Sequence, residues 1–152
     1  MGVLWVLGVL KMKSFHKVRS YECDFYGHVN NAIYLHYLEW GRFEFLEQRG
    51  ISLEQLKKQG YVIVIANLEI RYLRSARTGD DLAIETILEE LHRCSGVFLQ
   101  NIYLTNDGTP IARAKVRFCF TDFEGKPVSI PSSIHNSLKG DSKGETTSDE
   151  SC

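Results

Sequence analysis

The residues best able to do chemistry in this 152-residue chain lie in one polar turn. Asp24 is followed by Gly27 and His28, and then by Asn30 and Asn31. A carboxylate can attack a carbonyl carbon or activate water, and the unpaired N–H groups at a helix start can hold an oxyanion. Asp is also common in turns for purely structural reasons. Spacing alone favours that ordinary role for Asp24.

One long helix is predicted directly after the turn, and it must position these groups. Asn30 or Asn31 can cap its start, and Arg49 with Gly50 can close its end. The residues FHKVRSYEC before the turn predict a short strand. Gly41 indicates a place where the helix and a sheet approach closely. The apolar residues with helical spacing are Ile33, Tyr34, Tyr37, Leu38, Gly41, Phe45 and Leu46.

A longer pattern surrounds the turn and continues along the helix. Its members are Tyr21, Asp24, Gly27, His28, Val29, Asn30, Asn31 and Tyr34, with Glu39, Arg42, Phe45 and Leu46 further on. This pattern resembles the acyl-CoA thioesterases of the hotdog fold, most of all the branch of 4-hydroxybenzoyl-CoA thioesterase. The segment from Leu68 to Asp80 resembles a strand, turn and next strand of the same family. The resemblance covers about Phe15 to Pro131, and two segments in the correct order are more specific than one motif.

The resemblance implies a fold, a reaction and roles for two residues. The fold would be a curved antiparallel sheet wrapped around the central helix. The reaction would be hydrolysis of a fatty or aromatic acyl-CoA, or of an acyl carrier protein (ACP) thioester, without a cofactor. Asp24 would act as nucleophile or general base, and the backbone N–H of Asn31 would polarise the thioester carbonyl.

Three further residues in or after the turn can each have a functional or a structural role. His28 can bind substrate or orient Asp24, or it can be a turn histidine bonded to backbone. Glu39 can replace Asp24 as the working carboxylate, as in another hotdog branch, or it can pair with Arg42. Tyr34 is expected to be a core residue rather than a catalytic one, and both Tyr34 and Glu39 are candidates for contact with substrate.

Cations near strand ends are candidates to bind the phosphates of CoA. The resemblance places CoA contacts in the turn that holds Arg93 and Ser95, although the sequence departs from the family there. Any one of these cations can equally be an ordinary surface charge. The candidates are Arg71, Arg74, Arg77, Arg93 and Lys115.

The remaining elements predict an α+β domain. Residues 53–60 predict a short second helix that begins at Ser52. Strands are expected over residues 61–72, 82–91, 97–104 and 111–121. The first of these is apolar in its first half, which predicts a strand passing from a buried centre towards an edge.

Composition excludes several classes of protein. A net charge of −1 provides no basic surface for nucleic acid. A hydrophobic fraction of 43% with 24% charged residues is typical of a soluble domain. The four cysteines have no paired spacing, so neither a metal site nor a disulfide framework is expected, and reduced thiols in the cytoplasm are predicted.

Three segments are predicted along the chain. Residues 1–13 form an N-terminal extension, whose apolar run is far below the ~20 residues of a membrane span and lacks the features of a signal peptide. No stable membrane association is expected. Residues 14–138 form the catalytic domain. Residues 139–152 form a polar tail, which should be disordered because it lacks apolar residues.

Assembly and two rival functions complete the expectations. An exposed sheet edge invites pairing, so a homodimer, or a tetramer in line with the resemblance, is predicted with its active site at the subunit interface. A hotdog dehydratase or hydratase would need a histidine and a carboxylate directed at a β-hydroxyacyl group. A non-catalytic acyl-CoA-binding module would not need Asp24.

Overall fold

A computed structural model of the protein describes residues 10–140 and Cys152. One antiparallel sheet curves around one long helix, as the α+β prediction required. The elements are β1 (Lys11–Lys17), α1 (Ile33–Glu47), α2 (Leu53–Lys58), β2 (Val62–Tyr72), β3 (Asp81–Leu91), β4 (Ser95–Leu104), β5 (Pro110–Thr121) and α3 (Ser132–Lys139). Within these residues, no helix is long and apolar enough to cross a membrane.

The sheet has the strand order β1-β3-β4-β5-β2, so β1 and β2 form its two edges. All four pairings are antiparallel. The four strands expected after α2 begin and end within two residues of their predicted bounds. Ser52 accepts a hydrogen bond from the N–H of Gln55 at 3.2 Å, which confirms the predicted start of α2.

Helix α1 packs against the inner face of the sheet with its apolar side. Tyr37, Leu38 and Phe45 have no exposed surface. The rings of Phe45 and Phe98 meet edge to face with centroids 5.2 Å apart. The apolar spacing read from the sequence therefore identified the buried side of the helix.

The helix meets the sheet most closely at Gly41, as expected. A Cβ atom there would lie 2.8 Å from Cγ2 of Ile84, 3.0 Å from Oγ1 of Thr86 and 3.2 Å from Nε2 of Gln100. These are side chains of the sheet, so the absence of a side chain at Gly41 sets how near the helix can lie.

The N-terminal part of the fold begins earlier than the sequence indicated. Strand β1 starts at Lys11, and Leu10 and Met12 are buried in the core. Residues 11–13 of the expected extension therefore belong to the sheet, while residues 1–9 lie outside the described residues. The residues Ser20–Glu22, expected to end a strand, form a 3₁₀ turn.

The C-terminal part contains a helix that the sequence analysis did not predict. Helix α3 spans Ser132–Lys139 and contributes the buried Leu138. It occupies the end of the expected catalytic domain. The predicted disorder of residues 139–152 concerns mainly residues 141–151, which are outside the described part of the chain.

Strand β2 is not buried where the sequence predicted a buried centre. It lies at the sheet edge, and Val64 and Ile65 keep 36% and 45% of their surface exposed. A run of apolar residues at an edge is typical of a strand that another chain covers.

One pair of cysteines corrects the prediction of four reduced thiols. Cys94 and Cys152 form a disulfide with Cα atoms 5.7 Å apart, while Cys23 and Cys119 are free. The two bonded cysteines are 58 residues apart in sequence. Spacing along the chain could not reveal their contact, because it depends on the tertiary fold.

We expect Gly41→Ala to destabilise the fold by ~1–3 kcal/mol, since the new methyl group overpacks the contact between helix and sheet. Chemical denaturation of the variant would measure this loss. His36→Ala, at an exposed position of the same helix, is the matched control and should change the free energy of unfolding by less than ~0.5 kcal/mol. Equal stability of the two variants would contradict the close approach.

Candidate active site

The turn before α1 is closed by its own backbone. The N–H of Asp24 donates to the carbonyl of His28 at 2.7 Å, and the N–H of Gly27 donates to the carbonyl of Asp24 at 3.0 Å. Gly27 has a φ of 76°, in the left-handed region that favours glycine. Gly27 therefore allows the chain to reverse direction between Asp24 and His28.

The Asp24 carboxylate is held by one oxygen and open at the other. Its Oδ1 accepts the N–H of Tyr26 at 2.9 Å and that of His28 at 3.3 Å. Within the described part of the chain, Oδ2 has no hydrogen-bond partner, and the residue is exposed. Asp24 thus fills the ordinary structural role of a turn aspartate and still presents a free oxygen.

The start of α1 presents one free backbone N–H beside this turn. The carbonyl of Asn30 accepts the N–H of Ile33 at 2.9 Å, and its side-chain Oδ1 accepts the N–H of Ala32 at 2.9 Å. A trans peptide bond points its N–H opposite to its carbonyl, so the N–H of Asn31 points away from the helix. No acceptor among residues 10–140 is bonded to this N–H. It is free to meet an oxyanion.

The end of β2 and the loop that follows it fix the turn from the other side. The carbonyl of Ala76 accepts the N–H of Val29 at 2.9 Å, and the hydroxyl of Tyr72 donates to the carbonyl of Asn31 at 2.9 Å. Tyr72 is a residue of the site that the sequence pattern does not reveal. Its position in a strand gave no signal of a contact with a residue 41 positions away.

Tyr34 supports the same arrangement from within the core. It is 3% exposed, and its hydroxyl oxygen accepts the N–H of Ala76 at 3.0 Å. Burial raises the pKa of this phenol, and the hydrogen bond from Ala76 opposes the shift. This geometry agrees with the expected core role of Tyr34.

Of the other predicted site residues, His28 lies in the turn itself and Glu39 lies further along α1. His28 is half-buried, and its backbone pairs with Arg77 in an isolated bridge. Glu39 is half-buried and stands roughly 12 Å along the helix axis from Asn31, at ~1.5 Å per residue. It makes no ion pair with Arg42 among the described contacts. Arg42 instead donates to Oε1 of Gln100 at 2.9 Å, and burial lowers the pKa of this arginine against the opposing charge of Glu39.

Lys115 lies in the middle of β5, 3.7 Å from Glu89, and Arg71 lies within β2, while the other cationic candidates divide between the two ends of the sheet. Arg74 and Arg77 follow β2 and lie at the end that holds the Asp24 turn. Arg93 and Ser95 follow β3, at the opposite end of a strand of 11 residues, which is about 35 Å long. Arg93 there donates from Nε to Oγ of Ser129 at 2.9 Å. One chain alone does not bring this pair to Asp24.

A curved antiparallel sheet wrapped around one long helix is the hotdog fold. The model of the thioesterase-like superfamily matches residues 18–138, and the chain belongs to that family. It is a thioester hydrolase. The resemblance stated from the motif is thereby confirmed for the family, the fold and the class of reaction.

Curated relatives share about a third of the sequence. The chain is 35% identical over 82% of its length to the acyl-acyl carrier protein thioesterase ATL3 of Arabidopsis thaliana, covering 68% of that protein. Its match covers 64% of the related ATL2, slightly under two thirds. It is 36% identical over 74% of its length to the long-chain acyl-CoA thioesterase FadM of Escherichia coli, covering 85% of that protein.

Solved structures agree with the fold. The probable thioesterase YbaW of Escherichia coli matches with a TM-score of 0.74 and 33% identity, over 84% of this chain and 96% of that one. A 1,4-dihydroxy-2-naphthoyl-CoA thioesterase from Synechocystis matches with a TM-score of 0.79 over 84% and 95% of the two chains. At 16% identity the latter likeness shows the fold alone.

We expect Gly27→Val to lower kcat/KM by about 100-fold or more, because a displaced turn moves Asp24 relative to the helix start. Steady-state hydrolysis of an acyl-CoA measures the effect. A left-handed backbone costs a residue with a side chain roughly 1–2 kcal/mol, so stability should fall as well.

The matched control for this loss is Gly50→Val. Gly50 also has a positive φ, 68°, and open space around its missing side chain, but it lies beyond the far end of α1. Similar stabilities with only Gly27→Val inactive would support the role of the turn. Comparable activity losses in both variants would refute it.

Proposed function

We propose that the chain hydrolyses an acyl-CoA or acyl-ACP thioester to a free acid and a thiol at the Asp24 turn. Asp24 acts as general base or nucleophile, and the Asn31 N–H stabilises the oxyanion. The observation that carries this proposal is the pair of open groups on one turn, a carboxylate oxygen and a helix-start N–H. Such a combination suits a carbonyl that gains negative charge.

Two routes conserve atoms and charge. As a base, Asp24 takes a proton from water, whose oxygen attacks the thioester carbon. The tetrahedral oxyanion collapses, the C–S bond breaks, and the thiolate receives the proton. As a nucleophile, Asp24 displaces the thiolate to form an acyl anhydride, which water then cleaves. The Asn31 N–H serves the oxyanion on either route.

The relatives favour a fatty acyl group over an aromatic one. Those at 35% and 36% identity are named for acyl-ACP and for long-chain acyl-CoA. The neighbour named for an aromatic acyl-CoA shares only 16% of its residues. We therefore propose a fatty acyl chain carried by CoA or by ACP.

A second copy of the chain would complete the site. Antiparallel pairing of two β2 edges through a two-fold axis would cover Val64 and Ile65. It would also bring the start of one β2 beside the end of the other. In such a pair, Arg93 and Ser95 of one chain approach the end of the partner that carries its Asp24 turn, near its own Arg74 and Arg77. This supports a homodimer, and a tetramer would be a doubling of it.

The compartment stays a prediction. The sequence analysis favoured the cytoplasm, and the bond between Cys94 and Cys152 argues in the opposite direction, because disulfides are rare there.

We expect Asp24→Asn to reduce hydrolysis by about 100-fold or more with the fold intact, since the amide keeps the shape but neither attacks nor accepts a proton. The measurement is kcat/KM over fatty and aromatic acyl-CoA and acyl-ACP substrates, which also ranks the carriers and chain lengths.

Glu39→Gln is the matched comparison for Asp24→Asn, since both variants exchange one carboxylate for an amide. It should retain most activity. The opposite result, an active Asp24→Asn and an inactive Glu39→Gln, would move the chemistry to Glu39 and overturn the proposal.

We expect the protein to be a dimer or tetramer by light scattering, and Ile65→Lys to shift it towards the monomer, because a charge on the apolar edge opposes pairing. Phe123→Lys is the control, since Phe123 is also an exposed apolar residue, 66% exposed, but lies in a turn. A fully active wild-type monomer would refute a site shared between chains.

A further inference from the structure

A buried carboxylate lies two residues before Asp24. Glu22 is 4% exposed, although it belongs to a turn whose neighbour Tyr21 is 82% exposed. Burying a charge is costly unless hydrogen bonds and partners compensate for lost water. The sequence pattern around the turn does not mark Glu22, and neither Asp24 nor the Asn31 N–H is bonded to its carboxylate.

The Glu22 carboxylate is bound from three parts of the fold. Oε2 accepts the backbone N–H of Arg19 at 2.7 Å and the hydroxyl of Tyr37 at 3.0 Å. Nε2 of His16 lies 2.9 Å from Oε1 and 3.0 Å from Oε2. Because a carboxylate only accepts hydrogen bonds, Nε2 of His16 is the donor in both contacts. The end of β1, the 3₁₀ turn and the second turn of α1 thus meet at one side chain.

The backbone of Glu22 closes the base of the catalytic turn. Its carbonyl accepts the N–H of Asn30 at 3.0 Å, and Cys23 pairs with Val29 in an isolated bridge. The Asp24 turn therefore projects from a base whose first residue is Glu22. Asn30 is the first residue after the turn, and the bond between its carbonyl and the N–H of Ile33 orients the peptide that carries the Asn31 N–H.

The surroundings keep Glu22 ionised. Burial alone would raise its pKa, but hydrogen bonds from the Arg19 N–H, His16 and Tyr37 together hold the pKa below the usual range of a glutamate. Burial and the adjacent Glu22 in turn raise the pKa of Tyr37. The packing is also tight, because the His16 ring lies 4.8 Å from that of Tyr37.

We infer that Glu22 is a positioning residue: its carboxylate fastens the base of the Asp24 turn to α1 and so sets where Asp24 stands relative to the Asn31 N–H. The inference rests on the proposed function, because it assumes that Asp24 and Asn31 perform the reaction. Glu22 itself is too buried to touch substrate.

The first experiment separates binding from turnover in Glu22→Gln. The amide keeps the size of the side chain but removes the charge. Its NH2 group is a donor and cannot accept the hydrogen bonds that one carboxylate oxygen of Glu22 accepts. We expect kcat to fall by about 10-fold or more with KM within ~2-fold, because misplacing a reacting group by a fraction of an ångström costs turnover. Tyr37→Phe removes a single donor and should lower kcat by ~3-fold.

The matched control is Glu90→Gln. Glu90 also binds a histidine, with His92 Nε2 at 3.1 Å from its carboxylate, but the pair is exposed and lies at the opposite end of β3. This variant should retain wild-type kcat. If Glu22→Gln does not fold, as judged by circular dichroism, the kcat of Tyr37→Phe decides the test. This variant leaves the contacts of Glu22 with His16 and Arg19 in place.

A double-mutant cycle with Asp24→Asn tests whether Glu22 acts through Asp24. We expect Glu22→Gln to have no further effect on the residual rate of Asp24→Asn. An equal loss in both backgrounds, or full activity of Glu22→Gln and Tyr37→Phe beside an inactive Asp24→Asn, would overturn the positioning role alone. An active Asp24→Asn would instead overturn the proposed function, and the role of Glu22 with it.

Discussion

The arrangement of the site depends on how α1 is fixed to the sheet. Gln100, on β4, has no exposed surface. Its amide nitrogen donates to the carbonyl of Leu38 and to Oγ1 of Thr86, each at 2.9 Å, and its oxygen accepts from Arg42 at 2.9 Å. A fully satisfied buried amide holds one geometry, because any slip leaves polar atoms unpaired. Together with Gly41, it fixes the depth and rotation of the helix and therefore the direction of the helix start.

Two further attachments then define the position of the turn. Glu22 supplies one at the second turn of α1, through Tyr37, and the end of β2 supplies another at the start of α1, through Tyr72. Both attachments are hydrogen bonds to or from the segment around Asp24, and both come from elements that the sheet already holds in place. The reacting groups can thus be exposed without being poorly positioned.

Local pattern explains what could be predicted from the sequence. The turn chemistry, α1 and four strands follow from residue spacing and propensity, and the family follows from the two motifs. The contacts of Glu22, Tyr72 and Cys94 could not be predicted, because each joins residues that are neighbours only after folding. The apolar start of β2 misled for a related reason: its residues predict burial, but the strand lies at the sheet edge and Val64 is exposed. The roles of Asp24 and Asn31 remain proposals that the motif suggested and the geometry supports.

The distribution of satisfied and open polar groups is consistent with a rigid scaffold that carries an open reacting face. Within the described part of the chain, one buried side-chain nitrogen or oxygen atom lacks a partner, Nε of Arg49, and it belongs to a guanidinium 4.4 Å from the ring of Phe45. The free groups at the site, the Asn31 N–H and one oxygen of Asp24, are instead on exposed residues. Water can satisfy them before substrate arrives, so leaving them open costs little stability. When a thioester displaces that water, both groups become available to the carbonyl without rearrangement of the fold.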